Sequence, residues 1–582
     1  GVITGDENVA IGKSAFLEAT GAATSVFVGT HAGGKTTAAG RAAPITGGSN
    51  TVVGNTAGYA LTSGYSNVLI GKNAGLNVTA GGENVAIGHG ALVAADTGTA
   101  KNYNVAVGTN TLGGQTSNAS YCVAIGHNAL VAQNYDVKNT AIGGLAGDAI
   151  TTSSGNTFVG YYAGSATDTS GNGQYNTSLG HAAFALGKGG SNVAIGNAAL
   201  YAAGTKSDNV AIGASAGWAL TDGPGNVLVG KEAGKAMTTG DYNVAIGFQA
   251  AVAMVGNSNT NIAIGKHALF TEASAASNCI AVGLEALKMQ NGASAINLAI
   301  GTSAGVAITT GTQNVLIGHG AGSTIVDDNA NTALGYNALL GATAGGYNTA
   351  IGAYTLDAAL TGSYNVAVGG TALGAASGDM GENTAVGVGA LVNLNHASAD
   401  GNIAIGYDAG RNYETTAGSA PTPDGAMTQA LNSIYIGKSS CGIHATTADN
   451  EIVIGYNAVG NGTDSFTLGN ASTAALHCAD TSIAALSDRR VKHAINDNAV
   501  GLDFINKLAT VNYKKLNPAD WPTEIGLGAY REQTYKDQLV TEAVEAVEAV
   551  YEDAIVTEAR AATEEETRDE VHAAIEEVTE DV

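Results

Sequence analysis

The sequence predicts a mainly β protein, a parallel β-solenoid or β-roll of about 26 repeats of 17–18 residues over residues 1–470. The first observation is a pentad, Asn-Val-Ala-Ile-Gly, which recurs with small changes along this stretch. The second is composition, because 83 of 582 residues are glycine and 45% are hydrophobic, without the Gly-X-Y period of collagen. A fixed period indicates one supersecondary unit stacked on itself. Clear copies of the pentad begin at Asn8, Asn67, Asn84, Asn192, Asn243, Asn314 and Asn402.

The pentad predicts a short strand with two unlike faces. Val and Ile share one face of an extended segment, while Asn, Ala and Gly share the other. We expect the branched apolar face to fill the inside of each coil, and the alanine face to let a second sheet or chain approach closely. Such a strand takes its hydrogen bonds from its neighbours in the stack. At about 4.8 Å per coil the stack is about 120 Å long, and so thin a coil favours threefold association.

The rest of each repeat predicts turns and one ambiguous segment. After the strand comes Gly-x-x-Ala-Gly or Gly-x-x-Ala-Leu, as in residues 71–75 and 196–200. The following residues, such as 199–203 and 233–237, fit a second short strand or a single helical turn, which periodicity does not separate over so few positions. A Thr/Gly/Asn cluster, as at 239–243, predicts the turn to the next coil.

Charge and composition exclude several function classes. The net charge of −25 disfavours nucleic acid and anionic membrane surfaces as partners. The sequence contains no run of 18 apolar residues, so it predicts no membrane span. The four cysteines, Cys122, Cys279, Cys441 and Cys478, lack metal-ligand spacing, and we interpret them as small buried or solvent-side residues rather than as disulfides. We expect no cofactor and no metal.

Three patterns imitate catalytic or metal sites. Residues 29–36 satisfy the Walker A pattern, but no βαβ unit surrounds them. Ser215 and Ser303 match the nucleophile elbow, yet other repeats carry Asn73 or Glu232 at that position. The histidines do not fall on adjacent coils, so they predict no metal site: His31, His89, His127, His181, His267 and His319.

Loops and tyrosines are the candidate contact features. Repeats lengthen at 30–49 and at 407–432, and insertions in solenoids are frequent binding sites. Tyrosine also recurs just before the strand, where it either covers the edge of the coil or stacks on sugar rings of a receptor. These residues are Tyr103, Tyr121, Tyr175, Tyr242, Tyr347 and Tyr364.

The pentad repeats resemble the heads of trimeric autotransporter adhesins and the shafts of phage tail fibres. That resemblance covers residues 1–470 and implies a homotrimeric, left-handed parallel β-roll. The repeat is longer here than in the adhesin heads, so we expect extra loop or helical material in each coil. The opening residues resemble the inside of a later repeat, which predicts a start in mid-repeat and a missing N-terminal region that attaches to other tail or fibre proteins.

The pattern breaks after Gly469, and we predict a junction at 471–486, a small α/β domain at 487–530 and a tail at 531–582. Residues 502–508 fit a helix and 511–514 a strand. Ser-Asp-x-Arg-x-Lys, beginning at Ser487, resembles the endosialidase-type intramolecular chaperone of phage fibres and spikes. The resemblance implies trimerisation and self-cleavage, with Ser487 as nucleophile, Lys492 as its base and Leu486-Ser487 as the cleaved bond.

Two features qualify that assignment. Ser487 also fits an N-cap opening a helix. The family's downstream Gly-Phe-Ile-Ala-Gln-Glu-Val segment is reduced here to residues 524–528. The tail is acidic and helical in pattern, and it fits either a solvated helix or a coiled coil. Its apolar positions are Val540, Val544, Val547, Tyr551 and Ile555.

These patterns lead to the hypothesis of a homotrimeric tail fibre of a tailed phage, extracellular in the virion, that binds a host-surface glycan or protein receptor. The alternative is a bacterial trimeric surface adhesin, although the acidic end of the chain lacks the amphipathic strands of a membrane barrel. A third class, a polysaccharide-degrading spike, needs paired carboxylates, and the repeats show no recurring acidic pair. We therefore expect no activity on an external substrate, only self-processing.

Overall fold

The computed structural model describes residues 5–473. Exceptions are residue 18, 35–43, 94–101, 115–119, 135–137, 166–172, 272–276, 293–294, 343–344, 359–360, 376, 414–424 and 444–447. The chain divides into two units, 1–476 and 477–582, and the described residues belong to the first. The predicted junction, chaperone domain and acidic tail lie outside the described residues.

The described residues form one parallel sheet of 26 short strands, which confirms the predicted mainly β solenoid. Four further two-residue strands lie in the longer repeats near the C-terminal end, and no helix is assigned in the described part of the chain. The strands of the long sheet are β1 (Val9–Ile11), β2 (Val26–Val28), β3 (Thr51–Val53), β4 (Val68–Ile70), β5 (Val85–Ile87), β6 (Val105–Val107), β7 (Val123–Ile125), β8 (Thr140–Ile142), β9 (Thr157–Val159), β10 (Thr177–Leu179), β11 (Val193–Ile195), β12 (Val210–Ile212), β13 (Val227–Val229), β14 (Val244–Ile246), β15 (Ile262–Ile264), β16 (Ile280–Val282), β17 (Leu298–Ile300), β18 (Val315–Ile317), β19 (Thr332–Leu334), β20 (Thr349–Ile351), β21 (Val366–Val368), β22 (Thr384–Val386), β23 (Ile403–Ile405), β27 (Ile434–Ile436), β29 (Ile452–Ile454) and β30 (Phe466–Leu468). The lengthened repeat at 407–432 carries the antiparallel pair β24 (Asn412–Tyr413) and β25 (Gly425–Ala426), and β26 (Ala430–Leu431) pairs in parallel with β28 (Ala448–Asp449).

Successive strands stack in register, as the repeat predicts. Between β12 and β13 the partners are Val210 with Val227, Ala211 with Leu228 and Ile212 with Val229. Every pairing within the long sheet follows the same scheme, so equivalent positions of the repeat form columns that run along the solenoid. A residue's neighbours are therefore its counterparts 14 to 31 residues away in sequence, a spacing set by the length of each coil.

The ambiguous middle segment is a series of turns, neither strand nor helix. In the coil after β13, the Ala233 N–H donates to the Gly230 carbonyl at 3.2 Å, and the Gly234 N–H donates to the Ala250 carbonyl of the next coil at 2.9 Å. Left-handed backbone at Glu232 (φ 60°) and Gly234 (φ 58°) bends the chain between these bonds. The turns thus carry their own hydrogen-bond ladder from coil to coil, parallel to that of the strands.

The expectation about the two faces of the strand is wrong. The central residue points inward, and the flanking branched residues point outward. In β12, Ala211 is fully buried, whereas Ile212 is 37% exposed. The physical reason is space, because the inside of one coil also receives a side chain from the turn segment, six residues after the centre of the strand.

A size rule links these two inward positions. A central Ala is paired with Leu six residues later, as in Ala86 with Leu92, and a central Leu is paired with Gly, as in Leu69 with Gly75. A Cβ added at Gly75 would lie 2.8 Å from the Leu69 Cδ2, so the two positions share one space. In these coils the interior therefore has room for only one large side chain from the two positions.

In some coils both inward positions carry a small residue, and large side chains of the adjacent coils fill the space. Ala211 is followed by Gly217, and a Cβ at Gly217 would lie 2.7 Å from the Leu228 Cδ1 and 2.9 Å from the Leu200 Cδ2. Leu200 belongs to the preceding coil and Leu228 to the following one. Large side chains of adjacent coils fill the space that the middle coil leaves open, which keeps the interior close-packed.

A buried asparagine ladder lies beside the apolar interior. The Asn226 N–H donates to the Asn209 Oδ1 at 2.9 Å, and the Asn226 Oδ1 accepts from the Asn243 N–H at 2.8 Å. The Asn226 amide also donates to the Gly240 carbonyl of the return turn at 2.8 Å. Each rung satisfies buried backbone groups that would otherwise destabilise the coil. The buried rungs are Asn50, Asn67, Asn84, Asn104, Asn139, Asn156, Asn176, Asn192, Asn209, Asn226, Asn243, Asn261, Asn297, Asn314, Asn331, Asn348, Asn365, Asn383 and Asn402.

Cysteine interrupts this ladder in two coils, and a glutamine compensates in each. Cys122 occupies an asparagine position, and Gln133, eleven residues later, accepts from the Asn139 amide at 3.2 Å. Gln290 stands in the same relation to Cys279, and it accepts from Asn297 at 2.7 Å. Both glutamines are fully buried at a position that is Val78 or Met237 elsewhere. The described cysteines are thus buried members of the core and form no disulfide.

The size rule predicts compensation between Leu69 and Gly75. Leu69→Ala opens a cavity and should cost about 2–5 kcal/mol, and Gly75→Leu overpacks the coil at about 1–3 kcal/mol. The double variant recreates the Ala86 and Leu92 combination and should cost less than either single change. Amide hydrogen exchange of peptides spanning the coil measures the local opening free energy. Leu69→Ala combined with Gly147→Leu, in a distant coil, serves as the control and should show additive losses; additive losses for the Leu69 and Gly75 pair as well would contradict the rule.

Candidate functional surfaces

The outer face of the sheet is a continuous apolar strip. We call the first and third residues of the 26 long-sheet strands the outer strip. Its third position is always Ile, Val or Leu, and its first position is Val, Ile, Leu, Thr or Phe. Ile212, Ile246 and Ile264 are each 37% exposed. With 26 rungs at about 4.8 Å and a width of roughly 7 Å, the strip covers on the order of 800 Å². Ordinary monomers rarely expose apolar patches of more than about 300–600 Å².

The six predicted tyrosines form a column at the edge where each strand begins. Each precedes the ladder position and has left-handed backbone, with φ between 55° and 65°. Their side chains are 41–66% exposed. The column comprises Tyr103, Tyr121, Tyr175, Tyr242, Tyr347 and Tyr364.

These tyrosines pack on the coil before or after them. The Tyr103 and Tyr121 rings stack with centroids 4.7 Å apart, and the Tyr347 and Tyr364 rings stack at 5.2 Å. The Tyr242 ring lies over Gly225 of the preceding coil, where a Cβ would clash with it. One side of each of these rings thus covers the edge of the coil. The other side of the rings is exposed, and stacking on sugar rings therefore stays a prediction.

A second column, which the sequence analysis missed, follows the glycine that ends each strand. It contains the pairs Tyr161 with His181, at 5.6 Å between ring centroids, and His319 with Tyr336, at 5.2 Å. Further along, Lys231 and Lys266 flank Phe248, while Tyr407 and Tyr456 flank Lys438. Aligning the repeats on the strand-ending glycine would have revealed these neighbours, which lie 17–20 residues apart in sequence except for Tyr407 and Lys438, which lie 31 apart.

A chain of polar side chains crosses the coils of β13 to β16 next to this column. The Gln249 Nε2 donates to the Glu232 Oε2 at 2.6 Å, and the Gln249 Oε1 lies 3.0 Å from the His267 Nε2. The His267 Nδ1 lies 3.6 Å from the Glu285 Oε1. The chain ends in two ion pairs, Lys235 with Glu232 at 3.3 Å and Lys288 with Glu285 at 2.9 Å.

Both carboxylates of the polar chain, Glu232 and Glu285, are held in the ionised form. The hydrogen bond from Gln249 lowers the pKa of Glu232, and Lys235 adds to the effect. The hydrogen bond from Lys288 lowers the pKa of Glu285, with His267 contributing less. Three coils separate the two carboxylates, about 14 Å along the solenoid. That separation exceeds the carboxylate spacing of glycosidases, so this pair does not form a hydrolytic site.

The motifs that imitated catalytic sites occupy ordinary repeat positions. Ser215 and Ser303 have left-handed backbone (φ 56° and 57°), as do Asn73 and Glu232 at the equivalent position. Lys35 and Thr36 of the Walker-like stretch lie outside the described residues. Among the residues that the structure describes, no group of three or more His, Cys, Asp or Glu side chains could hold a metal ion.

The last coils carry a buried carboxylate in place of the ladder asparagine. Glu451 is fully buried, and it accepts hydrogen bonds from the Tyr435 hydroxyl at 3.2 Å and from the Gly462 N–H at 2.9 Å. Burial raises the pKa of Tyr435 well above its ordinary value, and the Glu451 charge adds to this. Atypical terminal coils are common in solenoids, where they close the core. We interpret this pair as part of such an end.

The predicted cleavage residues Leu486, Ser487 and Lys492 lie outside the described residues. Within the described part, no helix is long and apolar enough to cross a membrane. No protein-family model matches the chain, and comparison with curated proteins finds no similar sequence. The surfaces themselves therefore carry the functional argument.

The polar chain yields a prediction about pH. Because the folded pKa of Glu232 lies below its ordinary value, its carboxylate contributes stability above the ordinary pKa, and this contribution is lost as the pH falls through the folded pKa. Gln249→Leu removes the largest of the interactions that lower this pKa, so the pKa of Glu232 should rise and the loss should begin at higher pH. A ¹³C-carboxyl NMR titration measures the pKa of Glu232, and the Glu232→Gln variant assigns its signal. Lys235→Met should raise the pKa less, and an unchanged pKa in Gln249→Leu would contradict the assignment.

Proposed function

We propose that this protein is a homotrimeric extracellular fibre of a tailed phage that recognises a host-surface receptor. The observation that carries the proposal is the outer strip, an uncharged apolar surface that extends along all 26 strands of the sheet. Its order-of-magnitude area of about 800 Å² matches what one partner buries in a stable protein–protein interface. A surface of this size and composition favours a permanent partner over exposure to water.

A second and third copy of the same chain fit the strip better than an unrelated protein does. The spacing of the rungs is set by the strand separation of about 4.8 Å, and another copy has the same spacing, so apolar rungs stay in step along the whole length. Copies related by rotational symmetry present the same residues to one another. The resemblance of the repeats to trimeric adhesin heads and phage fibre shafts favours three copies.

Receptor recognition fits the variable columns at the two edges of the sheet. The repeat position that the six tyrosines share and the position after the strand-ending glycine vary widely in residue type from coil to coil, whereas the outer strip is limited to Val, Ile, Leu, Thr and Phe. Exposed aromatic side chains with a polar end suit contacts with glycans or proteins.

The homotrimer is tested by charging the outer strip. Ile212→Glu, Ile246→Glu and Ile264→Glu together place nine carboxylates around the axis of a trimer, and we expect dissociation or failure to assemble. The control places the same charge after the strand-ending glycine, in Ala214→Glu, Thr302→Glu and Ala353→Glu, and should keep the wild-type mass. Light scattering during size-exclusion chromatography measures both. A monomeric wild-type protein would contradict the proposal.

Self-cleavage by the C-terminal domain is the second part of the proposal. Its support is the Ser-Asp-x-Arg-x-Lys motif, in which Ser487 requires a base and Lys492 is the nearest lysine in sequence. Cleavage between Leu486 and Ser487 would release the chaperone after it has assembled the fibre.

Freshly expressed full-length protein should give two products on a denaturing gel, residues 1–486 and 487–582. Ser487→Ala should leave one band of 57.5 kDa, because the nucleophile is missing. Lys492→Met should slow the reaction, while Lys507→Met, in the same domain, should not. A single uncut band in the wild-type lane rules out processing, and cleavage that persists in Ser487→Ala rules out Ser487 as the nucleophile.

A further inference from the structure

The column after the strand-ending glycine contains one group that differs from the rest, formed by Lys231, Phe248 and Lys266 on the coils of β13, β14 and β15. The Nζ atoms of Lys231 and Lys266 lie 5.8 Å and 6.0 Å from the centroid of the Phe248 ring. The ring itself is 39% exposed. Because the three coils stack in register, the two lysines lie on the coils directly before and after Phe248, and their ammonium groups lie beside its exposed ring. We call these three side chains the Lys–Phe patch.

The patch carries two positive charges, and neither of its lysines lies within ion-pair distance of a described carboxylate, although the Lys231 charge contributes to lowering the pKa of Glu232. The neighbouring Lys235 and Lys288 are paired with Glu232 and Glu285. Among the ion pairs between described residues, none includes Lys231 or Lys266. The polar chain beside the patch therefore neutralises its own charges and leaves these two ammonium groups. On a chain of net charge −25, this is a local reversal of sign.

We propose that the Lys–Phe patch binds an anionic sugar unit, carboxylated or sulfated, of a cell-surface polysaccharide. The exposed part of the Phe248 ring offers an apolar contact to a sugar ring, and the two ammonium groups beside it are placed to bind the acidic substituent of that sugar. On the same coils the Gln249 amide donates to Glu232 and also contacts His267, so Glu232 is engaged within the polar chain. The inference rests on the proposed receptor-binding function and assigns a ligand class to it.

Among the coils that the structure describes, the others lack this combination. Lys438 lies between Tyr407 and Tyr456 at 5.6 Å and 5.9 Å, but it is a single cation with two rings. Lys72 occupies the same column, with Asn55 and His89 at the equivalent positions of the adjacent coils. Two unpaired cations on either side of one exposed ring occur at the Lys–Phe patch and support selection for an anionic ligand with an apolar face.

The test uses purified full-length protein and polygalacturonate oligomers as the probe, with binding measured by calorimetry. Lys231→Gln combined with Lys266→Gln should weaken binding about tenfold, as expected for the loss of two partly exposed ion pairs. The matched control, Lys13→Gln combined with Lys72→Gln, changes the same charge in the same column and should stay within about twofold. Phe248→Ala should also weaken binding, and rising salt should weaken it in the wild type.

Further probes separate the sources of the anion. The fully methyl-esterified polymer has the same sugar backbone without charge and should not bind. Dextran sulfate binding that depends on Lys231 and Lys266 assigns a sulfated sugar, and polygalacturonate binding assigns a uronate. Equal binding of the ester, equal binding by the double variant, or lysine-dependent binding of single-stranded DNA alone would each overturn the proposal.

Two measurements separate this proposal from the proposed function. Acylation of amines in the assembled protein, followed by mass spectrometry, should modify both lysines and be blocked by polygalacturonate; unreactive lysines would overturn the site. Adsorption of the protein to a panel of bacterial cells reports the receptor function independently. If the Lys231→Gln and Lys266→Gln double variant still forms a trimer and adsorbs to cells as well as the wild type, the fibre proposal is kept and the Lys–Phe patch is rejected. If the protein neither trimerises nor adsorbs but binds the sugar in a lysine-dependent way, the Lys–Phe patch is kept and the fibre proposal is rejected.

Discussion

The small interior of each coil is the constraint on which the rest of the structure depends. Two inward positions, the centre of the strand and the residue six places later, share room for one large side chain, as Leu69 with Gly75 and Ala86 with Leu92 illustrate. The branched residues on either side of the strand centre cannot also turn inward, since the side-chain direction alternates along a strand. They are therefore placed outside, where they form the apolar outer strip. Insufficient interior volume in one chain thus creates the surface that favours a partner.

Polar groups inside the coil determine how regularly this arrangement repeats. The ladder asparagines receive a backbone N–H from the next coil and bond to the return turn, so each coil fixes the register of its neighbour. The coils of Cys122 and Cys279 show how strict this requirement is. Where the asparagine amide is missing, a buried glutamine takes a position that is otherwise apolar and supplies the lost acceptor. The stability of a solenoid is the sum of such nearest-neighbour terms, so each coil has to satisfy its own buried groups.

The sequence predicted the features that follow from periodicity alone. The spacing of the pentads predicts the stacked strands and their register, because equivalent residues of a regular solenoid lie over one another. The assignment of the inner face failed, since alternation distinguishes two faces but does not say which one is inside. The residue six positions after the strand centre contained the missing information: in most coils Leu follows a central Ala, and Gly follows a central Leu, as expected for two positions that share one interior. The middle segment stayed open because its geometry depends on left-handed residues such as Glu232, for which side-chain chemistry gives little signal.

The same separation of roles explains why candidate binding residues were partly visible in the sequence. The six tyrosines share one repeat position, so the sequence analysis found them as a column. Phe248 and its two lysines share a position as well, but their residue types differ, and only a comparison between adjacent coils shows that they form one group. Interior and strip positions are restricted to a few residue types by packing, whereas the edge columns accept many residue types, although tyrosines there also cover the edge of the coil. Exposed substitutions there cost little folding free energy, so if the proposed receptor binding holds, the edge columns are where a solenoid of this architecture can change its ligand without changing its fold.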